Sequence, residues 1–442
     1  MRYVLMLFAC CGITMAAGQA TDIPAVVSKP RVDVHSGPDF DTPRLATLSR
    51  NDAVRIASQQ GLWYQLTLDA GKPGYVRVND VRVAYAGVDS SGSGIQFAGK
   101  SGAGRASETA GVRGLDQNEL RTAYPNRAQL ARMESYRVTP TDAAQYARGQ
   151  GLVDTQVPYA GEAQPASKDA GNGMTQAEKR GGLAAARSLL SRFGGLTGNA
   201  GTVIDVASKS ATKSEAEQSD EELALGPELA ARILGARPLW QDDAAQRRVN
   251  TIGRWVATHS SRPELPWTFG VIDSTDINAF AAPGGYVLVT RGLYQLLDGD
   301  AELAAVLGHE ISHIVQRDHY NVIRKQELTS AGTDIVRGQV DVGGGVAGSY
   351  AMDYVGKNGA AIMLTGLDRG AEYRSDEAAQ VYLARSGYNP LALYSVLQKM
   401  TALGDRSSRL TQLYKTHPAL DDRLDQIDRN GNRALAGYTD RQ

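Results

Sequence analysis

The 442-residue chain has little cysteine, little histidine and almost no net charge: two cysteines, six histidines and a formal charge of −1. Both cysteines, Cys10 and Cys11, lie in an N-terminal stretch that reads as an export leader. Arg2 supplies the positive start, Tyr3 to Ala17 form an apolar core short for a bilayer span, and Gly18-Gln19-Ala20 offer small residues for cleavage. A chain cut after Ala20 keeps no cysteine. That excludes disulfides and thiol chemistry and leaves nitrogen and oxygen as metal ligands. A lipoprotein signal, with Leu7-Phe8-Ala9 before an acylated Cys10, is the competing reading; its apolar stretch is very short and Phe8 is bulky. The balanced charge, with no basic run, argues against nucleic acid or an anionic membrane as partner. After the leader no apolar run approaches the ~18 residues of a membrane helix, so an exported protein, in a periplasm, is expected. Hydrophobic residues at 42% and charged ones at 21% are those of a globular protein, and the length predicts two or three domains.

Residues 21–86 alternate apolar and polar positions between Ser-Gly-Pro, Gln-Gly and Gly-Lys-Pro-Gly turns, the punctuation of a small all-β barrel. The runs RVDVHSGPDF, LWYQLTL and GKPGYVRV resemble the bacterial SH3-like domain, with His35 where Arg is usual and Tyr75 where Trp is usual. The resemblance implies a cell-wall or protein ligand. Trp63, Tyr64 and Tyr75 could line a peptide groove or simply fill the core. Residues 87–219 read as a Gly/Ser-rich linker followed by a helical spacer or docking arm. Pro125 interrupts the first helical piece, Pro140 opens the second, and Thr175 with Glu178 forms a capping box in a third. Residues 220–432 carry the denser patterning of a core, and 433–442 form a tail. A helix with Val249, Ile252, Trp255 and Val256 on one stripe leads into strands at WTFGVID, NAFAA and GYVLVTRG, then into further helices. Strands followed by helices, without βαβ alternation, predict an α+β, mainly helical domain with a small sheet.

Three of the six histidines fall in GHEISHIVQRDHY, residues 308–320. On a helix advancing about 100° per residue, His309 and His313 stand one turn apart and about 40° round, so both rings reach one point. Leu303, Leu307, Ile311 and Ile314 bury the other side. Glu310, about 100° round from His309, can approach a metal-bound water without being a ligand, as a general base requires. Random arrangement of this composition gives the pattern roughly 0.01 times. A catalytic zinc takes three protein ligands and keeps an open position. A HExxHxxGxxH site would need glycine at Gln316 and a ligand at His319, and only the histidine is there. The better third ligand lies on a second helix, DRGAEYRSDEAAQVYLAR, where Glu372 can bind zinc and Asp376, at i+4, can fix the tautomer of a ligating imidazole.

These residues resemble the HtpX-like and CAAX prenyl protease-like zinc metallopeptidases. The likeness rests on NAFAAPGGYVLVTRGLYQLL, DAELAAVLGHEISHIVQRDH, the Arg369, Glu372 and Asp376 pattern, and THPALDDR, and spans about half the chain. It implies a gluzincin-type fold, one zinc held by His309, His313 and Glu372, and Glu310 as catalytic acid/base. Zinc acidifies water; Glu310 takes the proton and returns it to the leaving nitrogen. The absence of membrane helices sets the chain apart from the integral-membrane members and leaves a prenylated substrate unsupported. His417 and Arg423 are candidates to stabilise the oxyanion; equally, His417-Pro418 is a helix start and Arg423 a structural ion pair. The strand Asn278, Ala279, Phe280, Ala281 can pair its backbone with an extended protein or peptide substrate, or be ordinary core. His319 reads as structural, and His35 and His259 have no evident partner. The Gly-rich segment 341–366 is a candidate gate. The function expected is a zinc metalloendopeptidase in envelope protein quality control. The alternatives are a chaperone or cell-wall adaptor on a peptidase scaffold, and a zinc hydrolase of non-peptide bonds. Self-inhibition follows if His417 or the gate takes the open zinc position.

Overall fold

The computed structural model describes residues 23–68, 73–83, 115, 117–159, 215–325, 363–364, 366–403, 407–430, 433–439 and 441. They fall into two compact units that divide between Ala84 and Tyr85. The leader, the Gly/Ser-rich linker, the helix expected around Thr175 and nearly all of the candidate gate lie outside the described residues.

The first unit is an antiparallel sheet of β1 (Ile23–Val27), β2 (Arg31–His35), β3 (Arg44–Ser49), β4 (Ala53–Gln60), β5 (Trp63–Thr67), β6 (Pro73–Arg77) and β7 (Val81–Val83), in the order β3-β2-β6-β5-β4-β1-β7. Its core face is set by alternation: Val32, Val34, Leu66 and Val76 point inward and are buried. Between β3 and β4 the chain reverses through Asn51, at φ 73°, a left-handed conformation that Asn tolerates. Trp63 and Tyr64 are buried, whereas Tyr75 is partly exposed. His35 lies edge-on to Trp63, and its Nδ1 donates to the Thr42 carbonyl at 3.2 Å.

In the second unit α1 (Gln117–Thr122) and α2 (Arg127–Glu134) flank Pro125, and α3 (Pro140–Gly149) starts on Pro140 with Thr139 capping it. Then come α4 (Glu215–Ala236), α5 (Asp243–Thr258), β8 (Thr268–Ile272), β9 (Ala279–Ala282), β10 (Tyr286–Thr290), α6 (Arg291–Tyr294), α7 (Asp300–Val315), α8 (Arg369–Arg385), α9 (Ala392–Ala402), α10 (Leu413–Thr416) and α11 (Leu420–Asn430). The fold is α+β, with a mainly helical part around a small mixed sheet. Leu120 and Leu130 join Leu229 and Ile233 of α4 and Leu288 of β10 in one buried cluster, so α1 and α2 share the core of the strands and helices that follow. Each such side chain contributes about 1.5–3 kcal/mol on burial.

The small sheet has the order β8-β10-β9, with β8 parallel and β9 antiparallel to β10. Its two edges are finished differently. Along β8, side-chain amides of α5 act as a strand: Gln246 bonds both the N–H and the carbonyl of Val271, at 2.9 and 2.8 Å, and Asn250 those of Phe269, at 3.0 and 2.6 Å. This seals the backbone groups that an edge otherwise leaves unpaired. β9 is the opposite edge and packs on α7.

Candidate metal centre

Helix α7 begins at Gly299 with Asp300 and Glu302 in its first turn, where the helix dipole favours carboxylates. Helix α8 begins at Asp368, whose side chain accepts the Ala371 N–H at 2.9 Å. The two helices pack on each other through small residues: a methyl on Gly308 would lie 3.4 Å from the Ala379 Cα. That close seam brings His309 and His313 of α7 against Glu372 of α8, and the turn after α10 adds His417.

Ligand-capable atoms of His309, His313, Glu372 and His417 all lie within 4.8 Å of one another. The Nε2 atoms of His309 and His313 face each other at 3.1 Å. Glu372 Oε2 is 3.6 Å from His309 Nε2 and 2.6 Å from His417 Nδ1, and its Oε1 is 3.7 Å from His313 Nε2. Among the described residues Glu372 Oε1 is buried with no hydrogen-bond partner. Two imidazole nitrogens this close accommodate a shared proton or cation, and a buried carboxylate oxygen without a donor calls for the same. The donor set, three nitrogens and a carboxylate, fits zinc.

The outer ring nitrogens are held by carboxylates. His309 Nδ1 lies 3.0 Å from Asp376 Oδ1. His313 Nδ1 lies 2.8 Å from Asp318 Oδ2 and 3.1 Å from Ser375 Oγ. An Nδ1–H donated to a carboxylate leaves the Nε2 lone pair for the cluster. Asp376 is itself gripped by Arg423, whose Nε and Nη2 reach its two oxygens at 2.9 and 2.5 Å; Nη2 also lies 3.4 Å from His309 Nδ1. Burial opposes the charge on Arg423, but Asp376, then Glu372 and Glu310, raise its pKa above the ordinary value. Burial and Arg423 push His309 down, yet its bonds to Asp376 and Glu372 prevail and bring it to about 9. Burial pushes Glu372 up, but His417, His309 and His313 hold it well below the carboxylate range. Burial likewise works against Asp376, and Arg423 brings it to about 2.

The structure thus brings together His309, His313, Glu372, Asp376, His417 and Arg423. Glu310 is buried on α7 and stands outside the four-residue cluster. Asn278 is buried just before β9; its N–H donates to Thr290 Oγ1 and its carbonyl accepts the Thr290 N–H, at 3.1 and 3.0 Å. Ala279, Phe280 and Ala281 are buried in the edge strand. His319 lies beside His313, ring centroids 5.9 Å apart, and burial lowers its pKa, so it stays neutral outside the cluster. His259 faces Trp255, with Nδ1 2.9 Å from the Trp255 carbonyl. Sequence reasoning missed Asp318 and Ser375. Ser375 shares the face of Glu372 at i+3 and was within reach of a periodicity argument; Asp318, across a helix end, carried no such signal. Among the described residues no helix is long and apolar enough to cross a membrane.

Comparison with known proteins matches residues 243–430 to Peptidase family M48. The chain is 29% identical over 221 residues to a Beta-barrel assembly-enhancing protease of Yersinia pestis, covering 48% of this chain and 44% of the relative. It is 28% identical over 248 residues to a Protease HtpX homolog of Kineococcus radiotolerans, covering 48% of this chain and 80% of that one. Metalloprotease LoiP of Escherichia coli is 27% identical over 162 residues, covering 37% and 62%. The chain spans under half the length of the assembly-enhancing proteases it matches.

Proposed function

With residues 243–430 forming a Peptidase family M48 domain, we propose that the chain is a zinc-dependent metalloendopeptidase. The observation that carries this reading is the buried His309, His313, Glu372 and His417 cluster, with its facing Nε2 atoms and the unpartnered Glu372 Oε1. His309, His313 and Glu372 hold the metal, which when bound supplies a Lewis acid for a peptide carbonyl and for water. Glu310, next in sequence to a ligand but outside the cluster, accepts the proton of the attacking water and delivers it to the leaving nitrogen. Asp376 and Asp318 keep the two imidazoles in the ligating tautomer. The bidentate bond to Asp376 supports Arg423 as the residue that orients Asp376, in preference to an oxyanion contact.

His417 supports a resting state. Its imidazole lies in the same four-residue cluster, which supports a place in the ligand set; there it would take the position a substrate carbonyl or water needs, and opening the site would require His417 to leave. The β9 edge supports substrate binding by strand addition, since β8 is sealed by Gln246 and Asn250 while β9 is the remaining edge. Its four residues are buried, in keeping with a closed form.

Three broader readings go with this one. The leader supports export to a periplasm. Export and the likeness to proteases named for β-barrel assembly support unfolded or misassembled envelope proteins as substrates. The first unit's antiparallel sheet, with Phe40 exposed beside Trp63 and Arg77, supports an SH3-like domain that binds a protein or cell-wall ligand. The deciding experiment is cleavage of an unfolded protein by the exported chain and by Glu310→Gln, with bound zinc measured in both. About one zinc in each and cleavage by the wild type alone bears the reading out. Cleavage that survives Glu310→Gln removes Glu310 from the chemistry, and a chain without zinc removes the metal.

A further inference from the structure

Glu222 lies on α4, upstream of the matched segment and far along the chain from every candidate ligand, yet it is fully buried. Its carboxylate is a junction. Arg262, from the loop between α5 and β8, reaches Oε1 at 3.0 Å and Oε2 at 2.9 Å. The same guanidinium donates to the carbonyl of Ile314, the residue after His313, at 3.2 Å. Arg317 donates from Nε to Glu222 Oε2 at 3.0 Å. Two guanidinium groups on one buried carboxylate satisfy a charge that alone would be prohibitive, and they tie it to the end of α7.

That end has an unusual shape. Helix α7 stops at Val315, Gln316 caps it, and Arg317 takes φ 59°, the left-handed region that a non-glycine side chain rarely adopts. The reversal turns the next residue, Asp318, back so that its Oδ2 meets His313 Nδ1 at 2.8 Å. Such a conformation persists only where its surroundings hold it, and the bond to Glu222 is one such hold on Arg317. We propose that Glu222, through Arg317 and Arg262, is a positioning residue for the metal centre: it fixes the left-handed turn that places Asp318 on His313. The inference rests on the zinc reading for its consequence and on contacts outside the ligand set for its cause. The helix that precedes the family domain is thereby part of the site's outer support.

The test uses the full-length chain and four variants: Glu222→Gln, Arg317→Ala, Asp318→Asn and the Arg317→Ala/Asp318→Asn pair. Alanine keeps the cost of the left-handed φ and lacks the guanidinium, so Arg317→Ala removes the bond to Glu222 while leaving Glu222 paired with Arg262. Zinc affinity is read by competition with a chelator, and the His313 Nδ1–H by imidazole ¹⁵N resonances in the metal-free protein. Expected are about tenfold weaker zinc binding in each single variant, a displaced or lost His313 Nδ1–H resonance, and a double variant no weaker than Asp318→Asn alone. Wild-type affinity and an intact resonance in Arg317→Ala overturn the proposal, as does full additivity in the double variant. If Glu222→Gln fails to fold, Arg317→Ala decides. If the wild type binds no zinc, the peptidase reading fails, and the His313 resonance still decides whether Glu222 acts through Asp318.

Discussion

The two histidines of α7 are supported from opposite sides by devices of different kinds. His309 leans on a regular helix: Asp376 stands one turn beyond Glu372 on α8, and Arg423 clamps it from α11. His313 leans on a helix end, where the left-handed Arg317 and the distant Glu222 turn Asp318 inward. The chemistry delivered is the same, a carboxylate on Nδ1. The first side is built from repeating local geometry, the second from a local break held in place by a residue on another element. The comparison shows that equivalent contacts in one site can differ in what maintains them, and so in how they fail.

The sharpest way to break the comparison is to remove what both sides serve. His309→Ala or His313→Ala deletes a proposed ligand, and bound zinc, measured by atomic absorption, should fall from about one equivalent to nearly none. The next test separates the sides. Asp376→Asn and Asp318→Asn should each weaken zinc about 10–100-fold. Only the former should also unfold the protein easily, by about 3–5 kcal/mol, because it strands the buried Arg423 guanidinium. The other salt-bridge partner of Asp318, Arg374, is half-exposed, so losing that pair should cost under about 1 kcal/mol in a thermal melt. Equal stability losses would erase the distinction.

A pH series probes the His309 side alone. With its pKa raised to about 9, metal-free His309 is protonated at neutral pH, and zinc must displace that proton. Affinity should therefore fall about tenfold per unit as pH drops below 9, and this dependence should vanish above it. Asp376, near 2, stays ionised throughout and adds nothing in that window. Calorimetry in buffers of different ionisation enthalpy counts the protons released. The smallest effect concerns the seam: Gly308→Ala puts a methyl at ordinary contact distance from Ala379 and gains helix propensity, so stability should rise by up to about 1 kcal/mol with zinc binding unchanged.

What the sequence disclosed follows the same division. Helical spacing alone placed His309, Glu310 and His313 on one helix and Glu372 with Asp376 on another, because side chains at i and i+4 share a face whatever the rest of the chain does. The strands at Thr268–Ile272 and Tyr286–Thr290 are legible from their β-branched residues, and Ala279–Ala282 from the Pro283-Gly284-Gly285 turn that follows it. Asp318 was not, since a left-handed turn at an arginine has no residue signature; glycine or asparagine would have marked it. Nothing in the sequence marks Glu222, because the arginines that bury it, Arg262 and Arg317, come from elsewhere in the chain. Likewise, the amides of Gln246 and Asn250 sealing β8 are a tertiary event on an otherwise ordinary amphipathic helix. The sequence leaves His417 between a catalytic group and a helix start; its contact with Glu372 depends on how the turn after α10 folds back.

X-ray absorption at the zinc edge, on the full-length chain and on His417→Ala, tests the four-residue site most directly. The prediction is one zinc with three nitrogen neighbours and one oxygen in the wild type. In His417→Ala one nitrogen should be replaced by oxygen, and cleavage of an unfolded protein should rise. An absent zinc, or a zinc whose neighbours are unchanged by His417→Ala, would contradict the four-residue site and the resting state built on it.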